Sequence, residues 1–316
     1  NLYRIPEQEM VAEKLVANSC ADRVFFCNSG AEATEGAVKV ARRYAWSQGE
    51  KDRTEILCAT GAFHGRTLAM LAANDRPLFR EGFGPSAQGF THVEWGDIDS
   101  LKKNIGKHVA AILVEPVQCT FGDKYFSETF FIGLRKIADQ YDIPLIFDEI
   151  QIGFGGTGKV WYFEHLPIEP DILVFGKKVQ LAGIMVKEKF AKIFSTPIRL
   201  EVTWDSNIID MLRGEFIVKA YKEYNILDNV NLMSIRLRKG LEETRNLKNI
   251  RNSGLLFAFD FENETLRNKF TKQLYENKML CNKSGNSTVR FRPNLSVSSV
   301  EIDKALEIIK KVDNSL

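Results

Sequence analysis

The feature that most constrains this 316-residue chain is a series of short, continuously apolar runs set between helix-patterned segments. Ala110-Ala111-Ile112-Leu113-Val114, Pro144-Leu145-Ile146-Phe147 and Ile172-Leu173-Val174-Phe175 show no alternation of apolar and polar residues. A strand that is apolar on both faces is buried on both faces, which is the habit of parallel sheets covered by helices. Arg23-Val24-Phe25-Phe26-Cys27 and Glu55-Ile56-Leu57-Cys58 read as two further strands. Ala31 to Trp46 reads as a helix, with Ala33, Ala37, Val40, Ala41 and Tyr44 on one face, and Glu128 to Tyr141 as another. The expected class is α/β, a large domain whose mostly parallel mixed sheet is covered by helices. In such sheets ligands sit beyond the carboxyl ends of the strands.

The last third changes character. A strand is expected over Leu255–Phe261, a helix over Glu264–Asn277 and a short strand over Val289-Arg290-Phe291. Ser298-Ser299-Val300-Glu301 opens a final helix as a capping box. A long helix from about Asn207 leads into this part, so the chain divides into a large domain, 1–224, and a smaller C-terminal α+β domain, 225–316.

The net charge of +2, with acids and bases mixed along the chain, offers no basic face for nucleic acid. No apolar run approaches the roughly 20 residues that cross a bilayer. Cys20, Cys27, Cys58, Cys119 and Cys281 are scattered without a CxxC pair, which fits a reducing, cytoplasmic setting. His64, His92, His108 and His165 lack the spacing of metal ligands, so no metal site is expected.

Two of the buried runs end in residues that packing does not require. One delivers Asp148 and Gln151, the other Lys177 and Lys178. A lysine that condenses with an aldehyde, and an acid that keeps a pyridine nitrogen protonated, are what pyridoxal 5'-phosphate (PLP) chemistry needs. Gln151 is placed to hydrogen-bond the ring hydroxyl. Lys177, at a desolvated strand end, is the nucleophile and the later proton carrier. Upstream, Asn28-Ser29-Gly30-Ala31 follows a strand and opens a helix, whose free N–H groups and dipole suit a phosphate. Gly61-Ala62-Phe63-His64-Gly65-Arg66-Thr67 offers Phe63 to stack on a planar ring and Arg66 to grip a carboxylate. Thr203 is a further phosphate donor, and Arg290 or Arg292 a second carboxylate site. Taken singly, each segment is an ordinary turn or a solvated side chain; taken together they appear in the order this chemistry uses.

With those residues in hand, the chain resembles the class III (ω-amino acid) aminotransferases of PLP fold type I over nearly its whole length. Residues 1 to about 118 are similar to acetylornithine aminotransferases. The matching segments are Asn1-Leu2-Tyr3-Arg4-Ile5-Pro6-Glu7-Gln8, Phe25–Ala33, Ala62–Thr67 and Arg80-Glu81-Gly82-Phe83-Gly84-Pro85. From about 121 onward the chain is more similar to L-lysine 6-aminotransferase, through Phe175-Gly176-Lys177-Lys178-Val179-Gln180, Arg199-Leu200 with Thr203-Trp204, and Val289-Arg290-Phe291-Arg292-Pro293. The resemblance implies that Ser29, Gly30 and Ala31 hold the phosphate, that Phe63 stacks on the ring and that Arg66 faces a substrate carboxylate. It pairs Asp148 with the ring nitrogen, Gln151 with the ring hydroxyl and Lys177 with the aldehyde. It sends Thr203 to the phosphate of a neighbouring subunit's cofactor, which requires a homodimer. It gives the α-carboxylate of 2-oxoglutarate to Arg290, ahead of Arg292.

The chain also departs from the pattern. Glu115-Pro116-Val117-Gln118 is followed by Cys119-Thr120 where the family has Gly-Glu, and that glutamate normally gates the carboxylate-binding arginine. Asp205-Ser206 replaces a Gly-Gly after Trp204, which would weaken cofactor binding if the acid faced the phosphate. The family's N-terminal segment is expected to be missing.

The function expected is transfer of the terminal amino group of N-acetylornithine or L-lysine to 2-oxoglutarate, giving a semialdehyde and glutamate. The alternative is a catalytically impaired scaffold of the same fold that acts as a binding or assembly subunit. A nicotinamide-dependent dehydrogenase would share the fold class, but no GxGxxG follows the first strand and Lys177 would have no task.

Overall fold

The computed structural model describes residues 3–316. Asn1 and Leu2, the start of the N-terminal motif, lie outside the described residues. The chain forms two compact units. One comprises residues up to Pro116, Tyr125–Gly153 and Trp161–Lys219; the other comprises Val117–Lys124, Phe154–Val160 and Ala220–Leu316.

The first unit is built on seven strands: β1 (Arg23–Cys27), β2 (Glu55–Ala59), β3 (Phe90–Val93), β4 (Val109–Val114), β5 (Leu145–Asp148), β6 (Ile172–Phe175) and β7 (Ala182–Val186). Their order across the sheet is β1-β7-β6-β5-β4-β2-β3. β7 runs antiparallel to both neighbours, and the other pairs are parallel. β1 therefore points the same way as β2, β4, β5 and β6, and the carboxyl ends of all five share one edge. Every residue of β4, β5, β6 and β7 is buried, as their apolar runs required. The helix Gly30–Ser47 lays Ala33, Ala37, Val40, Ala41 and Tyr44 into the core, the face read from the sequence. β3 and β7 were not foreseen. β7 contains Gly183, which reads as a loop residue; a Cβ there would stand 2.2 Å from the Phe25 carbonyl oxygen, so the close strand pairing demands glycine.

The second unit carries four antiparallel strands: β8 (Lys248–Ser253), β9 (Leu256–Asp260), β10 (Asn282–Ser284) and β11 (Thr288–Phe291), in the order β10-β11-β9-β8. The helices Ile226–Glu242, Glu264–Glu276 and Ser299–Asp313 pack Val230, Leu237, Phe270 and Ile309 against Phe257, Phe259 and Val289. The capping box at Ser298 and Glu301 forms as expected. Two excursions of the chain are tied into this unit. Leu255 donates its amide to the Gly156 carbonyl at 3.0 Å. Arg251 donates to the carbonyls of Gly122 and Asp123, and the Gly122 amide donates to Ser284 Oγ at 2.9 Å. No helix of the described residues is long and apolar enough to cross a membrane.

Candidate active site

The turns at the shared carboxyl edge of the first sheet surround a cavity of about 170 Å³ lined by Gly30, Ala31, Phe63, His64, Gly65, Glu115, Asp148, Ile150, Gln151 and Lys177. Six of the residues read from the sequence (Gly30, Ala31, Phe63, Asp148, Gln151 and Lys177) thus meet around one space, although up to 147 positions separate them (177 − 30).

The turn after β1 is fixed by a capping box. Ser29 Oγ accepts the Glu32 amide at 3.3 Å, and Glu32 Oε2 accepts the amides of Asn28 and Ser29 at 2.7 and 3.1 Å. The amides of Gly30 and Ala31 belong to the first helical turn, where the helix itself provides no acceptor, so they are left to bind an anion. Both line the cavity. A Cβ on Gly30 would meet Ile150 Cδ1 at 2.9 Å, and one on Gly65 (φ +142°) would meet Ala31 Cβ at 2.8 Å. The glycines therefore let three turns close on one another.

At the end of β5, Asp148 is buried. Its Oδ1 accepts the Ile150 amide at 3.1 Å, and its Oδ2 lies 2.9 Å from His64 Nδ1. His64 is oriented in turn, with its amide donating to Asn74 Oδ1 at 2.6 Å, while Asn74 Nδ2 donates to the Gly65 carbonyl at 2.9 Å. Glu115, at the end of β4, accepts the Phe63 amide through Oε2 at 2.8 Å. Burial, reinforced by the Asp148 carboxylate, pushes the Glu115 carboxyl up to about 7, against the opposing pull of His64 and Lys177.

Lys177 follows β6 in a left-handed conformation (φ +51°), which turns it off the strand and into the cavity. It is exposed in the single chain rather than desolvated as its strand-end position suggested, because that turn carries it out of the sheet. Its amine has no hydrogen-bond partner among the described residues. Lys178 points elsewhere: its Nζ donates to the carbonyls of Gln151 and Gly153 at 2.5 and 3.1 Å and so pins the turn that presents Gln151.

The remaining candidates are not among these lining residues. Arg66 is exposed, and its guanidinium stacks 5.3 Å from the Phe63 ring centroid and 4.2 Å from that of Phe79. It has no acidic partner among the described residues. Thr203 is exposed in the bend before Trp204. The Asp205 carboxylate accepts the Val202 amide at 3.0 Å, so it caps its own loop. In the second unit, Arg292 gives Nη2 to both oxygens of the fully buried Asp123 at 2.6 Å, and Nη1 to the carbonyls of Phe257 and Phe291 at 3.0 Å. Arg290 Nη1 donates to the Cys119 carbonyl at 2.5 Å and stands 3.9 Å from Asp123 Oδ1.

His64, Asn74 and Glu115 were missed as site residues. Glu115 carries the signal that found Asp148, an acid closing a fully apolar strand. The pairing of His64 with Asp148 spans 84 positions and has no local signature.

A family model described as aminotransferase class-III matches residues 1–312. The chain belongs to the class III aminotransferases. It is 38% identical to an acetylornithine aminotransferase of Synechocystis sp. over 98% of this chain and 76% of that protein. It is 34% identical to one of Methanocaldococcus jannaschii, over 99% and 80% of the two chains. Among solved structures, a lysine aminotransferase from M. tuberculosis superposes with a TM-score of 0.92 at 27% identity, covering 99% of this chain and 80% of that one. This aminotransferase therefore has the PLP fold type I architecture and pyridoxal phosphate as its cofactor, and nothing in the comparisons favours a non-catalytic scaffold. The cavity fits that group. It supplies two helix-start amides for a phosphate, a buried carboxylate for a protonated ring nitrogen, an aromatic face and an unbonded primary amine.

Proposed function

We propose that this aminotransferase moves the terminal amino group of a basic amino acid, N-acetylornithine or L-lysine, to 2-oxoglutarate, releasing a semialdehyde and glutamate. The observation that carries the reading is the single cavity shared by Asp148, Gln151 and Lys177 beneath a helix start. Glutamate formation from 2-oxoglutarate, followed across a panel of lysine, ornithine and acetylornithine, tests it. Activity confined to a donor outside this set would contradict it.

When bound, pyridoxal phosphate supplies the electron sink that acidifies the carbon bearing the donor's amino group. The chain supplies the rest. The amides of Gly30 and Ala31, with the hydroxyl of Ser29, anchor the phosphate. Asp148, held by His64 and the Ile150 amide, would pair with the ring nitrogen. Gln151 would hydrogen-bond the ring hydroxyl, and Phe63 would pack on the ring. Lys177 Nζ is the amine that would hold the aldehyde and, when free, would carry the substrate proton. Arg66 and Arg290 take substrate carboxylates. Arg292, committed to Asp123 and two carbonyls, acts as scaffold beside Arg290.

The proposal extends to a large cofactor-binding domain over 1–224, a small domain over 225–316, a cytoplasmic setting and a homodimer in which Thr203 reaches the neighbouring subunit's phosphate. Trp204, Ile208, Ile209, Leu212 and Phe216, close in sequence to Thr203, are exposed large apolar side chains that a second subunit would cover.

A further inference from the structure

Glu115 is a buried acid that the reaction above does not use. It follows β4, and β4 lies between β2 and β5 in the sheet. The side chain therefore sits between the turn that carries Phe63 and His64 and the strand end that carries Asp148. Its two oxygens differ. Oε2 accepts the Phe63 amide at 2.8 Å, and Oε1 has no hydrogen-bond partner among the described residues. The residue is 5% exposed, and what exposure remains is in the cavity lining.

We propose that Glu115 is a positioning residue that takes up a proton when pyridoxal phosphate fills the cavity, holding the Phe63 turn with one oxygen and presenting a carboxylic O–H to the bound group with the other. This rests on the cavity being the cofactor site. The physical reason is solvation. An oxygen that faces solvent is supported as a carboxylate. A ligand that displaces the solvent removes that support and favours the neutral form. The resting carboxyl is already displaced to about 7, so little further shift is needed for uptake near neutrality.

Other charged groups surround Glu115. Asp148 comes from β5, His64 from the turn after β2 and Lys177 from the turn after β6. Asp75 faces the same turn through the Gly61 amide at 3.3 Å. Glu149 is turned away, with its oxygens on the amides of Tyr162 and Phe163. Arg66 lies outside, on the exposed faces of Phe63 and Phe79.

The test is the pH dependence of pyridoxal phosphate affinity in the wild type and in Glu115→Gln. Glutamine keeps an oxygen for the Phe63 amide and cannot titrate. One linked proton weakens binding by up to about tenfold per pH unit. Between pH 7 and 8.5 the wild type should lose affinity at least about threefold more than the variant, and calorimetry in two buffers of different ionisation enthalpy should count more protons taken up by the wild type. Equal slopes and equal proton counts would overturn the proposal. If neither protein binds the cofactor, the cofactor site itself is wrong. Should the variant fail to fold, difference infrared spectra of the wild type decide the matter: loading must raise a protonated-carboxyl band, and no rise contradicts uptake.

Discussion

In the first unit, Asp148 and Glu115 spend their oxygens on one imidazole and two main-chain amides, and both still face an open cavity. In the second, Asp123 gives both oxygens to Arg292 and has a second guanidinium, that of Arg290, 3.9 Å away. The first cluster has one imidazole and one amine for its two acids. The second sets one buried acid within 4 Å of two guanidiniums. A cluster short of fixed cations is suited to a ligand that brings a protonated ring nitrogen. A cluster built on guanidinium groups is suited to a carboxylate. The two chemistries match the two kinds of group that an aminotransferase has to hold.

Removing the amine should have the largest effect. Lys177→Ala is expected to lower turnover by about 10³-fold or more, as loss of a nucleophile that is also the proton carrier does in other enzymes. Lys178→Ala should lower it far less, because its bonds go to the carbonyls of Gln151 and Gly153. Parity of the two variants in a glutamate-release assay would break the distinction between them.

Next comes the acid of the second cluster. Asp123→Ala takes the fully buried carboxylate away from the half-buried Arg292 guanidinium, and breaking a buried pair costs up to about 3–5 kcal/mol. Denaturant unfolding reads that directly, and a loss below 1 kcal/mol would contradict the charge accounting. Arg290→Ala should raise KM for 2-oxoglutarate by about 10–100-fold, the weight of a charge-assisted hydrogen bond. Arg292→Ala should instead appear mainly as lost stability. A reversal of these two phenotypes would move the carboxylate site to Arg292.

The smallest effect is a pH slope. Burial pushes the Glu149 carboxyl up to about 8 from an ordinary value of 4.5. A folded-state value above the unfolded one favours folding while the group stays protonated, and that contribution is lost as pH rises from about 4.5 through 8. The melting temperature of the cofactor-free protein should therefore fall across pH 6–8.5, and Glu149→Gln should flatten the slope while lowering the melting temperature at pH 6. An unchanged slope would remove Glu149 from the account.

Much of the first unit was legible because doubly buried strands advertise themselves. β4, β5 and β6 appear as unbroken apolar runs, and the acid or lysine after such a run stands out. β3 was hidden because its half-buried Phe90-Thr91-His92 lacks both alternation and a continuous run. β8 was hidden because Lys248–Ser253 is polar and no residue in it is fully buried. The cavity lining was legible where side chains sit in their own turns, as with Gly30, Phe63, Asp148 and Lys177. It was not legible where a role depends on a partner from another strand end. Nothing near His64 announces Asp148, and nothing near Arg292 announces Asp123, 169 positions away.

The proposed chemistry puts the cofactor on Lys177 and not on its neighbour. Borohydride reduction of the loaded protein followed by peptide mass spectrometry distinguishes the two. One stable adduct is expected, on Lys177, absent from Lys177→Ala. A reduced adduct on Lys178, or persistence of the adduct in Lys177→Ala, would contradict it.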